Sequence, residues 1–381
     1  MHQLPRLALL VLLAALCTAC TNQGTPVSTN APKTYGTLPD GSTANLYTLT
    51  NANGLTATLT DFGATLVSLK TPDRHGNLAD ITVGYDTLDG WVNDGSYMGA
   101  SVGRYGNRIA NGKFTLDDTE YALATNNGDN HLHGGNIGFN KKLWKAERIE
   151  AIDGEGIQFT YVSPDGEEGY PGELTSVVTY LLNSSDELII TFEATTTAPT
   201  VINLVHHTYW NLTGDPSKTI LDHKLMLLAD GYVPTDETGI PSAGIQPVEG
   251  TPFDFRSATP IGERINGDHK QLINGKGYDH SWAVNGEAGT LRMAAVAYDP
   301  DSGRIMQIKT DQPAIQFYTG NYMDGSSTGK GGVPHNLRTG FCLETQVFPD
   351  SPNQPELSNA VLQPGETYKH TMVHVFRTKG E

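Results

Sequence analysis

Five short segments hold most of the residues that could move protons in this chain. In Asn203-Leu-Val-His-His-Thr-Tyr-Trp-Asn-Leu212, an extended backbone puts His207 and Tyr209 on one face and His206 and Thr208 on the other. A histidine beside an aromatic ring suits holding a polar ligand while passing a proton; the plainer reading is a hydrogen-bonded core histidine. In Phe341-Cys-Leu-Glu-Thr-Gln346, Glu344 stands between apolar neighbours, as in a half-buried strand. A carboxylate there needs partners or its pKa rises, which suits a general base. A structural ion pair with an arginine is the alternative.

The other three segments could bind. Gly103-Arg-Tyr-Gly-Asn-Arg-Ile-Ala-Asn-Gly112 sets Arg104, Asn107 and Arg108 among glycines, which fits a close approach to something polar or a turn with a surface ion pair. In Asn130-His-Leu-His-Gly-Gly135, His131 and His133 share a face if the chain is extended. With His206 and His207 they raise the question of a metal. A cupin-like His-x-His site wants a glutamate about four residues later, and only Gly134, Gly135, Asn136, Ile137 and Gly138 follow. No metal is expected; His133 is read as a ligand-binding residue at the start of a turn. Gly277-Tyr-Asp-His-Ser-Trp282 places Asp279 in aromatic surroundings.

Strands must position these residues. Alternating or apolar runs occur at 55–60, 64–69, 156–161, 176–182, 187–194, 200–204, 291–298, 304–310, 314–319 and 368–376. Turn formers such as Asn53-Gly54, Asp153-Gly154 and Asp299-Pro-Asp-Ser-Gly303 separate them. Helical candidates are short, Thr87–Val92 and Ala258–Ile265 being the best. Strands do not alternate with helices, which argues against a parallel α/β sheet. The expectation is an all-β fold, a large antiparallel β-sandwich in one domain over 35–381.

Composition agrees. Hydrophobic residues are 38% of 381, and glycine, at 42 residues, is abundant enough for many tight turns. The net charge of −17, with no lysine–arginine cluster, argues against a nucleic-acid partner and favours a neutral small molecule. Cysteines are Cys17, Cys20 and Cys342. Two lie near the N-terminus, so no disulfide framework exists in the domain, and Cys342 reads as a small buried hydrophobe. Residues 1–20 read as a signal peptide: Arg6, then an apolar run from Leu7 to Leu16, too short to span a bilayer, then small residues. Cys20 after Thr18-Ala19 suits a lipoprotein signal, whereas Cys17 stands where such signals usually have leucine. The chain is expected to be exported, periplasmic or lipid-anchored to the cell envelope through Cys20, with residues 21–34 a flexible tether.

Taken together, GRYGNRIANG, NHLHGG, EEGYPGEL, HHTYWNL, DETGIPSAGIQPVEGTPFDFR, GYDHS, QPAIQFYTGN and GFCLETQVFPDSPNQP, with a closing LQPGETYKHT, resemble the aldose 1-epimerase family, the galactose mutarotases. The resemblance implies a β-sandwich of the galactose mutarotase type with a broad sugar groove. It implies interconversion of the α and β anomers of free aldoses by acid–base ring opening and closure, with no cofactor and no metal. Carried over by motif, His207 and Glu344 are catalytic, and Asn107, Arg108, His133, Tyr209, Asp279 and Gln316 contact the sugar. His206 stands where the family commonly has asparagine, and Tyr105-Gly106 replaces a commoner smaller pair. A carboxylate beside His207 is expected to raise the imidazole pKa from about 6.5. Trp210 is expected to point into the core. The partner is a small sugar, and the chain is a monomer or a dimer. The competing readings are a non-catalytic carbohydrate-binding module of the same fold and a hexose-6-phosphate epimerase, which should show a further basic cluster for the phosphate.

Overall fold

The computed structural model describes residues 31–380; the expected signal peptide and most of the expected tether lie outside them. Alternation of apolar and polar residues produces the long strands as expected. The run Leu-Thr-Ser-Val-Val-Thr-Tyr-Leu-Leu-Asn forms strand Leu174–Asn183, which buries every second side chain. It pairs antiparallel with Glu187–Thr196 across the Ser-Ser-Asp turn. These two are the third and fourth strands of a nine-stranded antiparallel sheet that runs from Lys145–Ala151 at one edge to Thr259–Pro260 at the other. The C-terminal strand Tyr368–Thr378 is inserted in its middle, between Glu187–Thr196 and Arg304–Thr310.

A five-stranded sheet lies against it. Its order is Gln246–Pro247, Gly231–Val233, Asp279–Ala283, Ala314–Tyr318 and Cys342–Gln346. One face packs on the nine-stranded sheet: Trp282, Ile315, Phe317 and Leu343 join Val178, Tyr180, Ile190, Met306 and Met372 in one buried cluster. The polar contact across this layer is the bond between Thr345 Oγ1 and His370 Nε2, at 2.7 Å. Residues of opposite parity, Ser281, Gln316 and Glu344, must then face away from the core, because successive side chains alternate across a strand. A second five-stranded sheet, from Lys33–Thr37 to Leu78–Asp80, completes the sandwich.

The expected helix Thr87–Val92 is present as Leu88–Asn93. The one expected at Ala258–Ile265 is not. There, Thr259–Pro260 pairs with the sheet edge and only a single 3-10 turn follows, since Pro260 brings no N–H and a fixed φ and Gly262 weakens what comes after. A short helix at Lys270–Gly275 carried no apolar period of its own; it starts where the His269 Nδ1 accepts from the Gln271 N–H. No helix among the described residues is long and apolar enough to cross a membrane.

Candidate active site

Glu344 lies mid-strand in Cys342–Gln346 and is 2% exposed. His207 follows the short strand Val205–His206, and its peptide N–H and C=O are bound to Ala100 and Gly99. The two side chains meet: His207 Nε2 is 3.6 Å from Glu344 Oε1. The second carboxylate oxygen, Oε2, is buried without a hydrogen-bond partner. A polar atom left so is costly inside a protein unless a ligand completes it. On the other side of the imidazole, the thiol of Cys342 lies 3.6 Å from Nδ1.

His207, Cys342 and Glu344 are close enough to raise the metal question again, with donor atoms within 4.8 Å of one another. The thiol and the carboxylate, however, face opposite ring nitrogens, whose in-plane lone pairs diverge. One ion cannot take both in good geometry through this ring. The arrangement suits an imidazole held in place to carry a proton. His131 and His206 have both ring nitrogens engaged and add no ligand to this group. His131 is spent on Ala124 O and the Tyr170 hydroxyl, and His206 on the Thr208 and Tyr180 hydroxyls.

Burial dominates the electrostatics. It pushes Glu344 well above the usual carboxylate range; Asp279 adds to this and Arg108 opposes it. It also pushes His207 down to about 4. The expectation that the carboxylate would raise this imidazole is therefore overturned, because desolvation of a wholly enclosed ring outweighs the neighbouring charge. Both groups favour their neutral forms, and the pair shares one proton over a wide pH range.

The expected binding residues surround this pair. The Tyr209 ring stacks on His207, with centroids 5.3 Å apart, and His133 meets His207 edge-on at 5.0 Å. The imidazole of His133 is reached by a turn: the strand His131–Leu132 ends there, His133 has φ 52° and Gly134 φ 84°. A Cβ on Gly134 would sit 1.8 Å from Gly103 O, so only glycine fits. The Asn107 N–H donates to His133 Nδ1, at 3.1 Å. The proton of this neutral ring, held well below its ordinary pKa by burial, must then sit on Nε2, ready to donate. Asn107 Oδ1 accepts from the Arg108 N–H, so its side chain shapes the loop as well as lining the site. Arg108 Nε donates to Asn127 Oδ1 at 3.1 Å. Gln316 pairs directly with Glu344 across the sheet, and its Nε2 donates to Asp279 Oδ1 at 2.7 Å.

Two neighbouring residues sort out differently. Arg104 is buried and donates to Pro171 O, Gly172 O and Ser163 Oγ, so it braces the fold and does not face ligand. Tyr105 is fully buried and its hydroxyl donates to Phe348 O. Trp210 packs in the core, as expected. Tyr97 was not foreseen: its ring lies 4.5 Å from that of His133 and 6.0 Å from that of His207. Its segment, Asp94-Gly-Ser-Tyr, carries no strand or motif signal. A separate open depression lined by Pro252, Arg264 and His269 contains none of these residues.

Comparison with known proteins agrees with the geometry. The family model described as aldose 1-epimerase matches residues 45–374. A galactose mutarotase of Rattus norvegicus is 42% identical over 337 residues, covering 88% of this chain and 95% of that protein. An aldose 1-epimerase of Escherichia coli is 38% identical over 340 residues, covering 89% and 96%. Among solved structures, an aldose epimerase homologue from C. elegans superposes with a TM-score of 0.80 at 31% identity, covering 88% of this chain and 99% of that one. An all-β sandwich, a buried imidazole–carboxylate pair and a likeness that runs nearly end to end all lead to one assignment: this chain belongs to the aldose 1-epimerase family.

Proposed function

We propose that His207 and Glu344 open and reclose the hemiacetal ring by which this aldose 1-epimerase interconverts the α and β anomers of free aldoses. The relatives' names, galactose mutarotase and aldose 1-epimerase, point to galactose and other aldoses as substrates. Opening the ring needs the C1 hydroxyl proton removed and the ring oxygen protonated. Glu344 takes the first proton and His207 Nε2 supplies the second. The C1–O5 bond breaks and an aldehyde forms. Rotation about C1–C2 presents the other face, and the same groups, in reversed roles, close the ring. Each placed acid or base contributes about 10²–10⁴-fold.

The observation that carries this reading is the 3.6 Å approach of His207 Nε2 to Glu344 Oε1, which lets one proton sit on either group; burial favours the form with that proton on Glu344, and ring opening draws on the form with it on His207. The pair with its proton on glutamate and the pair with its proton on histidine have the same composition. Ring opening moves one proton onto Glu344 and one off His207, so it converts one form into the other. The protein neither gains nor loses charge during the cycle, which suits a site shielded from water. This reading gives His133 Nε2–H, Arg108 and the Asp279–Gln316 pair the task of holding the hydroxyls. Arg104, tied to backbone carbonyls, leaves the motif with Arg108 alone for the groove, and this favours a free sugar over its phosphate.

The location of the activity rests on residues 1–20, whose charged start, apolar run and Cys20 read as an export signal. Export would deliver the enzyme to sugars outside the cytoplasm, with a lipid on Cys20 as its membrane attachment. The mass of the mature N-terminus tests this: a chain that retains residues 1–19 is not exported in this way. Polarimetry of freshly dissolved α-galactose, α-glucose and galactose 6-phosphate tests the activity, and a rate no faster than the buffer's for all three would refute it.

A further inference from the structure

The polar row across three strands contains two residues to which the reaction above gives no part. Ser281, Gln316 and Glu344 are direct cross-strand partners. Asp279 and Gln346 stand two positions along the same strands, so all five side chains share one face. Ser281 and Gln346 are buried, at 2% and 0% exposure, and their side-chain bonds run to each other and to Gln316.

Their hydrogen bonds have a direction. Gln346 Nε2 donates to Ser281 Oγ at 3.1 Å and to Gln316 Oε1 at 3.4 Å. Ser281 Oγ, accepting from Gln346, spends its one hydrogen on Gln316 Oε1 at 2.5 Å. The oxygen end of the Gln316 amide is thereby held toward Ser281 and Gln346. Its nitrogen end must face Asp279, where Nε2 donates to Oδ1 at 2.7 Å. With Gln346 directed as it is, its own Oε1 being buried without a partner, the reversed Gln316 amide would set an oxygen against the Asp279 carboxylate and leave the Ser281 hydrogen without an acceptor.

We propose that Ser281 and Gln346 are positioning residues for the epimerase reaction: they fix the direction of the Gln316 amide and, through it, the sugar-facing Asp279 carboxylate. This rests on the sugar-site reading above. The Gln316 hydrogen bond also keeps Asp279 from rising further than burial alone would push it. With the amide so directed, Gln316 offers its second N–H, and Asp279 its free Oδ2, to adjacent hydroxyls.

Gln346→Glu, made in the full chain, keeps the shape but removes both donors. Gln316 should then reverse to donate to the introduced carboxylate and present its oxygen to Asp279. The expected result is a KM raised about tenfold with kcat changed by less than about threefold, and a rise in the pH below which KM worsens. In that background Asp279→Asn should cost little further, since its amide can donate to the reversed Gln316 oxygen, whereas alone it should raise KM strongly. Should Gln346→Glu fail to fold, Ser281→Ala carries the test, with a similar rise in KM that Ser281→Thr, keeping the hydroxyl, reverses. An unchanged KM, equal losses in kcat and KM, or strict additivity with Asp279→Asn overturns the proposal. Absence of mutarotation by the unaltered protein would instead overturn the reading on which it rests.

Discussion

Glu344 Oε1 and His207 Nε2 approach to 3.6 Å although one lies mid-strand in Cys342–Gln346 and the other just past the end of the strand Val205–His206, in a different sheet. The geometry makes each the other's complement in proton transfer. Glu344→Gln keeps the size and loses the base; His207→Gln loses the acid. Each should lower kcat by about 10²–10⁴-fold while KM moves little, since the binding groups stay in place. Polarimetry over a range of sugar concentrations measures both constants. A variant that keeps kcat within about threefold of the parent would remove that residue from the mechanism.

The same pair sets the pH profile. Its active form carries one proton. As pH falls, a second proton adds at His207, whose pKa is down to about 4, and the base is lost. As pH rises, the shared proton leaves only above the usual carboxylate range, because Glu344 is pushed well up, and the acid is lost. The plot of kcat/KM against pH should be a broad bell with its acid limb near 4; its two limbs belong to the pair and not to one residue. An acid limb near 6.5 would show that His207 titrates like an exposed imidazole, contrary to its burial.

The two arginines of one motif should separate cleanly. Arg108→Met should raise KM by about tenfold or more and leave the melting temperature unchanged, because Arg108 is only partly buried and its one side-chain partner in the fold is Asn127. Arg104→Met leaves Pro171 O and Gly172 O without their donor inside the protein and should cost roughly 3 kcal/mol of stability. Denaturant unfolding and steady-state kinetics on both variants decide. Equal effects of the two on stability would refute the division.

Much of this site was legible because it lies on strands with regular alternation. Glu344 between apolar neighbours followed from a period of two, and His207 kept step with Tyr209 although the strand itself ends at His206. The same period reads less well where the chain leaves regular structure. His131 and His133 were expected on one face, but the strand ends at Leu132 and the positive φ of His133 turns its ring to the site while His131 stays in the core. The sign of the His207 shift could not be read from neighbours in sequence. It depends on enclosure by Tyr97 and His133, which two distant segments supply, together with the neighbouring Tyr209. The helix expected at Ala258–Ile265 failed because Pro260 lies within a weak apolar pattern.

Buried histidines also predict how stability responds to acid. His280 and His374 are wholly enclosed and pushed down to about 3, and His207 to about 4, each chiefly by desolvation. In the unfolded chain they titrate near about 6.5. Between these values the unfolded state binds more protons than the folded one, so stability is fully present above about pH 6.5 and is lost as pH falls toward 4. Each such histidine steepens the loss by up to about 1.4 kcal/mol per pH unit. Thermal melts from pH 7.5 to 4.5 should therefore show a falling melting temperature below about 6.5. His374 offers the control: its ring is stacked with Phe376 and tilted against Trp210, surroundings that a phenyl ring would suit. His374→Phe should remove one proton from the difference and flatten the dependence by that amount. If the variant melts with the parent's slope, His374 is not among the groups that acid must charge to unfold the protein.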